Sequence, residues 1–185
     1  MSTLDATIEA ISATLNGLDP GPLAELRRMT PGGPAPAAFW RLCAAHDLEK
    51  GKLDTWQRIV HVMAILADTG PPERRRPLHD RARRLGTVLC DGGDPGWGPP
   101  PGAEPRPVVS EARLARFLAL QPGARGAAIE RLARMISRTR APGHGVNCID
   151  IATMLLSPSM PKDVPLTYYG RLDHAARTRS KEGTS

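Results

Sequence analysis

The sequence encodes an all-α protein, a compact helical bundle in two subdomains joined by a Pro/Gly-rich linker. Three observations lead there. Aromatic residues make up only 4% of the 185 residues, so the core has to be built from Leu, Ile, Val, Met and Ala, a palette that suits helices better than pleated sheets. Apolar residues return every three or four positions along most of the chain, the period of one helix face. No segment reads as a convincing strand, and no internal repeat is present.

The first helix is amphipathic, with Leu4, Ile8, Ile11, Leu15 and Leu18 along one face. Asp19-Pro20-Gly21-Pro22 ends it. A short helix from Leu23 to Met29 follows, closing on Arg27 and Arg28, where cations suit the helix dipole. Thr30 to Pro36 is a Pro/Gly loop, and a third helix carries Phe39, Trp40 and Leu42. From Leu53 to Ala67, the residues Trp56, Ile59, Val60, Met63, Ile65 and Leu66 cover so wide an arc that this helix must be central. Pro71 to Pro77 breaks the pattern, and Leu78 to Leu89 resumes it as a weaker helix.

Residues 91–107 cannot hold a helix or a sheet ladder, because Gly and Pro dominate the run from Gly92 to Gly102. They are read as a linker between an N-terminal helical subdomain at 1–90 and a basic C-terminal one at 108–180, with a polar tail at 181–185. Trp97 inside the linker is either a packing anchor or an exposed contact. Ser110 and Glu111 make an N-cap and a first-turn acid for a helix whose stripe is Leu114, Phe117 and Leu118. Pro122-Gly123 turns the chain into a helix from Ala124 to Thr139. After a loop at 141–147, a short helix runs from Ile149 to Leu156 and a last one from Leu166 to Arg179.

Charge is distributed unevenly. The chain carries +6 overall, yet residues 105–185 hold 13 Lys and Arg against 6 Asp and Glu, while residues 1–104 hold 12 against 13. Arg is enriched together with Ala, Gly and Pro, the stamp of GC-rich coding, so the position of the cations bears on function more than their number. A regional excess suits a polyanion partner, since each neutralised phosphate releases counterions; the plainer alternative is a solvated surface. Cys43, Cys90 and Cys148 are odd in number and lack a CxxC pair, which fits reduced thiols better than a disulfide framework. The chain opens on a polar helix, with no signal peptide, and no apolar run approaches the about 20 residues of a membrane span. A cytoplasmic protein with no membrane partner is expected.

Enzyme signatures are missing: there is no Walker loop, no GxGxxG after a strand, no GxSxG and no HExxH. His144 and Cys148 have a metal-like spacing without the second pair that a tetrahedral site needs. His61 sits in the central apolar helix with no carboxylate or nucleophile spaced to orient it, so a partly buried structural role fits better than a general base. No catalytic site, metal or cofactor is expected.

The basic residues are better organised. On the 124–139 helix, Ile129, Leu132 and Ile136 lie at i, i+3 and i+7, and Arg131, Arg134 and Arg138 repeat that spacing two residues on. At about 100° per residue the Arg row falls opposite the apolar row. Glu130 is the helix's only acid, whereas a merely solvated face mixes both signs. Arg116, with Arg113 at its flank, turns away from the preceding helix's stripe, and Arg125 sits near the joining turn. Such an array suits backbone phosphates, which Arg binds bidentately. Arg74, Arg75 and Arg76 with Arg81, Arg83 and Arg84 form a second cluster that either grips phosphate or is solvated. Few aromatics lie among these cations, which favours sequence-independent backbone contact over base stacking.

Several short motifs fall in a recognisable order. Gly21-Pro22-Leu23-Ala24-Glu25-Leu26-Arg27-Arg28 and then Pro36-Ala37-Ala38-Phe39-Trp40-Arg41-Leu42 resemble the opening of the CasB family, the small subunit of the type I-E CRISPR complex Cascade. Leu85-Gly86-Thr87-Val88-Leu89 is similar to that family's LG..L segment, and Ser110 to Leu120 to its SE.R...LL.A helix. Arg125 to Ile136, Asp150 to Leu156 and Tyr168-Tyr169 follow in the same order. The chain departs from the pattern after Tyr169, with Gly170 and an Arg-rich tail, and in its unusually Pro/Gly-rich linker. The resemblance implies an all-helical, non-catalytic subunit of a crRNA-guided surveillance complex. Its partners would be crRNA, target DNA, the displaced non-target strand, the Cascade backbone and large subunits, and a second copy of itself. It would brace the crRNA–target hybrid and hold the displaced strand in an R-loop, while guide pairing reads the sequence. Carried over, Arg27, Arg113, Arg116, Arg125, Arg131 and Arg134 match basic or motif positions; Arg28 and Arg138 rest on the helix reading alone.

Two other classes compete. A helical adaptor for an acidic protein partner would use the same basic face without touching nucleic acid. A helix-turn-helix regulator would need Asn or Gln beside Arg on its reading helix, and the 124–139 helix has none.

Overall fold

The computed structural model describes residues 3–48, 50–99, 103–141 and 143–182, with side chains to Thr178. Among them are nine α-helices: α1 (Thr3–Gly17), α2 (Pro20–Arg28), α3 (Ala37–His46), α4 (Leu53–Leu66), α5 (Leu85–Asp91), α6 (Glu111–Leu118), α7 (Pro122–Thr139), α8 (Cys148–Leu156) and α9 (Asp163–Glu182). The fold is all-α, as the aromatic-poor, helix-period sequence dictates. Residues 100–102 of the expected linker and 183–185 of the expected tail lie outside the described residues, while Lys181 and Glu182 belong to α9.

Several ends differ from expectation for local reasons. Pro20 and Pro122 start α2 and α7 instead of preceding them, because proline's fixed φ suits a first helical turn whose N–H needs no partner. The 78–84 stretch is not helical. Its backbone instead meets the 145–147 segment, with Val146 N–H donating to the Leu78 carbonyl at 2.9 Å and Asp80 N–H to the Val146 carbonyl at 3.2 Å. The Asp80 carboxylate accepts from Ala82 N–H, and Asn147 Nδ2 donates to the Arg81 carbonyl, so local polar side chains satisfy the backbone without a helix. Ser110 makes no side-chain cap. Asn147 does, accepting from the N–H groups of Ile149 and Asp150 to start α8.

Helix α4 is central. Nearly all of it from Trp56 to Leu66 is buried, and α2, α7 and α8 pack around it. The apolar core is one contiguous cluster running from Ile8 in α1 to Tyr168 in α9, so the two expected subdomains share it. Ion pairs also join the two sides, Arg58–Glu130 at 3.3 Å, Arg140–Asp68 at 3.0 Å and Arg84–Asp150 at 2.9 Å, and Arg171–Asp91 at 3.0 Å ties the last helix to the start of the expected linker. Trp97 is a packing anchor, half-buried with the Arg171 guanidinium 5.2 Å above its ring. Trp40 stays 52% exposed, because the short α3 buries the side carrying Ala38, Phe39 and Leu42.

Helices α5 and α9 approach most closely at Gly86. A Cβ built there would lie 2.0 Å from the Val164 carbonyl oxygen and 2.3 Å from Thr167 Oγ1. In an ordinary helix, Gly→Ala stabilises by about 1 kcal/mol. Here Gly86→Ala should instead lower unfolding free energy by about 1–3 kcal/mol, the usual cost of overpacking. Urea denaturation checks this, and an unchanged midpoint would refute the close α5–α9 contact.

Candidate nucleic-acid interface

Helix α7 carries the site. Ile129, Ala133 and Ile136 are buried, with Leu132 half-buried beside them, and this side seats the helix against α4. Arg131, Arg134 and Arg138 are exposed, and none makes an ion pair among the described residues. The helix's only acid does not offset them. Glu130 is turned inward to 16% side-chain exposure, where one oxygen meets Arg58 at 3.3 Å and the other lies 3.9 Å from His61 Nε2. A single-sign row is therefore left facing water.

Basic residues flank the row on both sides. Arg113 and Arg116 are exposed on α6, and with Arg131 they rim a groove between α6 and α7. Across α7, Arg134 and Arg138 line a cleft of about 400 Å³ together with Arg27 and the end of α4. Arg27 is half-buried and partly committed, donating to the Ala67 carbonyl at 2.9 Å, which caps an orphan acceptor at the α4 C-terminus. Burial lowers its pKa, opposed by the charge of Asp68 and assisted by that of Arg75. Arg28 next to it is exposed. The structure thus brings Arg113, Arg116, Arg131, Arg134, Arg138 and Arg27 around one helix.

Arg125 does not belong with them. It is only 4% exposed. Its guanidinium donates to the carbonyls of Ser157 at 2.9 Å and Pro158 at 3.0 Å, and more weakly to Leu120 and Met154. It ties the start of α7 to the end of α8, with four of its five N–H donors spent on these carbonyls and the group buried away from any phosphate. Spacing alone placed Arg125 near the turn without showing that the carbonyls after α8 converge there.

The 74–84 cluster is likewise committed, apart from Arg74, to partners within the chain, with Arg81 making its pairs at the surface. Arg75 donates to the Leu15, Asn16 and Gly70 carbonyls. Arg76 grips Asp68 and donates to the Arg140 carbonyl. Arg81 pairs with Asp5 and Glu9, Arg83 with Asp91, and Arg84 with Asp150 and Asp163. Arg74 alone in this group is exposed without an ion pair among the described residues. At the Asp68 node, burial would raise the carboxyl pKa. Hydrogen bonds from Arg76 and the charges of Arg140 and Arg76 outweigh it and hold the group at about 2.

Arg58 went unread in the sequence, being a single cation in an apolar helix. Its guanidinium lies where a Cβ on Gly126 would sit, 2.2 Å away, so the glycine in the second turn of α7 was the available signal. By holding Glu130, Arg58 keeps the acid off the Arg row. His61 is buried, with Nδ1 donating to the Leu26 carbonyl at 2.9 Å, a tie between α4 and α2. Cys148 is buried in the core, its Sγ beside the Leu78 carbonyl. Among the described residues, no three His, Cys, Asp or Glu side chains converge to hold a metal, and no helix is long and apolar enough to cross a membrane.

No family model, curated protein or solved structure matches the chain.

Arg125→Ala should cost about 2–4 kcal/mol of stability, since it orphans several carbonyls at once. Arg131→Ala, Arg134→Ala and Arg138→Ala should each stay within about 0.5 kcal/mol. Urea melts of the four variants check the division between structural and free cations. The Asp68 carboxyl supplies a pH test. Its folded pKa is depressed, so its stabilisation is present above pH about 4 and is lost as pH falls through about 2. Asp68→Asn should remove up to about 2 kcal/mol of acid dependence across that window, read by comparing melts at pH 5 and pH 2.

Proposed function

We propose that the chain is a non-catalytic, sequence-independent binder of nucleic-acid backbones. The observation that carries this is the exposed row of Arg131, Arg134 and Arg138, free of ion pairs among the described residues and freed of Glu130 by Arg58. Guanidinium groups one helical turn apart present bidentate donors along a line, which suits successive phosphates of a strand or hybrid. Arg27 extends the row on one side, with Arg28 exposed next to it in α2, and Arg113 and Arg116 extend it on the other. With the ordered motifs resembling the CasB family, this face supports a role as the small subunit of a crRNA-guided type I-E surveillance complex. There it would brace the crRNA–target hybrid and steady the displaced strand, beside the backbone and large subunits and a second copy of itself, in the cytoplasm.

Alone, the protein should bind single-stranded DNA weakly and in a salt-dependent way. Replacing Arg131, Arg134 and Arg138 by Ala should flatten the slope of log K against log salt by about 2, since each single-strand phosphate contact contributes about 0.7. In a reconstituted crRNA complex, changing the same three residues to Glu should impair R-loop formation without unfolding the subunit. Unchanged target binding by that complex would remove the site assignment. Binding to neither strand nor hybrid at low salt would favour an adaptor for an acidic protein instead.

A further inference from the structure

The groove between α6 and α7 has a feature that phosphate binding does not use. Its floor is apolar, made by Leu120 just after α6 and by Leu132 and Met135 from α7, all half-buried. Its rim is cationic on both walls: Arg113 and Arg116 on α6, and Arg131 opposite on α7. These three form no ion pair among the described residues; Arg116 Nε donates to its own helix's Ala112 carbonyl at 3.2 Å. The volume is about 470 Å³, in the range of sites that take several apolar side chains.

Both halves of the groove have to be satisfied by one occupant. A sugar–phosphate strand answers the rim and leaves the floor wet. A splayed base is poorly served too, because the only ring here, Phe117, is 4% exposed and offers no stacking face. An amphipathic helix answers both, with an apolar ridge on the floor and carboxylates on its two flanks meeting the two basic walls.

We infer that the α6–α7 groove is a docking site for an acidic amphipathic helix of a partner protein. The nucleic-acid reading shares the basic rim of Arg113, Arg116 and Arg131 but makes no use of the apolar floor, and it also needs Arg134 and Arg138, which lie outside this groove.

The test uses the full chain and a labelled helical peptide of about 18 residues, or five turns, with a Leu ridge flanked on both sides by Glu. Fluorescence anisotropy should show saturable binding, weakened at least about tenfold by Arg113→Glu with Arg116→Glu, the equivalent of about 1.4 kcal/mol. Met135→Glu should weaken it similarly; the exposed α6 pair decides the question if that variant fails to fold. A peptide with its Leu residues changed to Ser should lose binding, and the methyl resonances of Leu120, Leu132 and Met135 should shift on adding the Leu peptide. Equal binding of the Ser peptide would overturn the proposal by showing charge attraction alone. So would displacement of those methyl resonances by an oligonucleotide in place of the peptide, or a self-association of the chain that Met135→Glu abolishes. Because no nucleic acid enters the peptide assay, loss of DNA binding and loss of peptide binding are separately readable.

Discussion

Helix α4 has almost no solvent face, and that constraint organises the molecule. A helix buried all round can be stabilised only if its neighbours cover it completely. Here the covering comes from both sides of the Pro/Gly-rich stretch: α2 from one, α7 and α8 from the other. Most polar groups buried within α4 are consequently committed, Trp56 Nε1 being the exception, buried without a hydrogen-bond partner among the described residues. His61 holds the α2 backbone, Gln57 exchanges hydrogen bonds with Gly32 and Gly33, and Arg58 takes Glu130. Burial leaves such groups no alternative partner in water, and an unpaired one would cost about 1–3 kcal/mol.

The same covering fixes the functional face. Because α7 must present Ile129, Ala133 and Ile136 to α4, helical geometry turns Arg131, Arg134 and Arg138 outward. Arg58 then draws the helix's one acid toward the core. The basic row is thus a by-product of core packing as well as a surface feature. The remaining arginines divide by the same logic: wherever helix ends leave orphan carbonyls or buried carboxylates converge, a guanidinium is consumed, as at Arg75, Arg125 and Arg140.

Period and composition made the helices legible, and the opposition of Ile129 and Ile136 to the Arg row followed from spacing alone. Burial of individual arginines was not legible. Arg125 and Arg131 look alike in sequence; they differ because the carbonyls of Ser157 and Pro158 return to one and not the other, a contact more than 30 positions away. The 74–84 arginines were ambiguous for the same reason, since their partners Asp5, Asp91, Asp150 and Asp163 come from four separate parts of the chain. The false helix at 78–84 arose where a bridge to Val146, invisible to local propensity, satisfied the backbone instead. Trp40 shows the limit of hydrophobicity as a guide to burial on a short helix.

The seating of α5 on α9 also bears on how the chain is made. Gly86 finds its partner backbone only at Val164 to Tyr168, so α5 leaves the ribosome long before the surface that covers it exists. Loop closure over such a separation is slow compared with local helix formation. The surface that covers α5 is supplied only after a further stretch of nearly half of the 185 residues has been synthesised. During that interval the apolar sides of α4 and α5 are exposed to other nascent chains and to chaperones. Late completion of the core is built into the order in which this sequence supplies its helices.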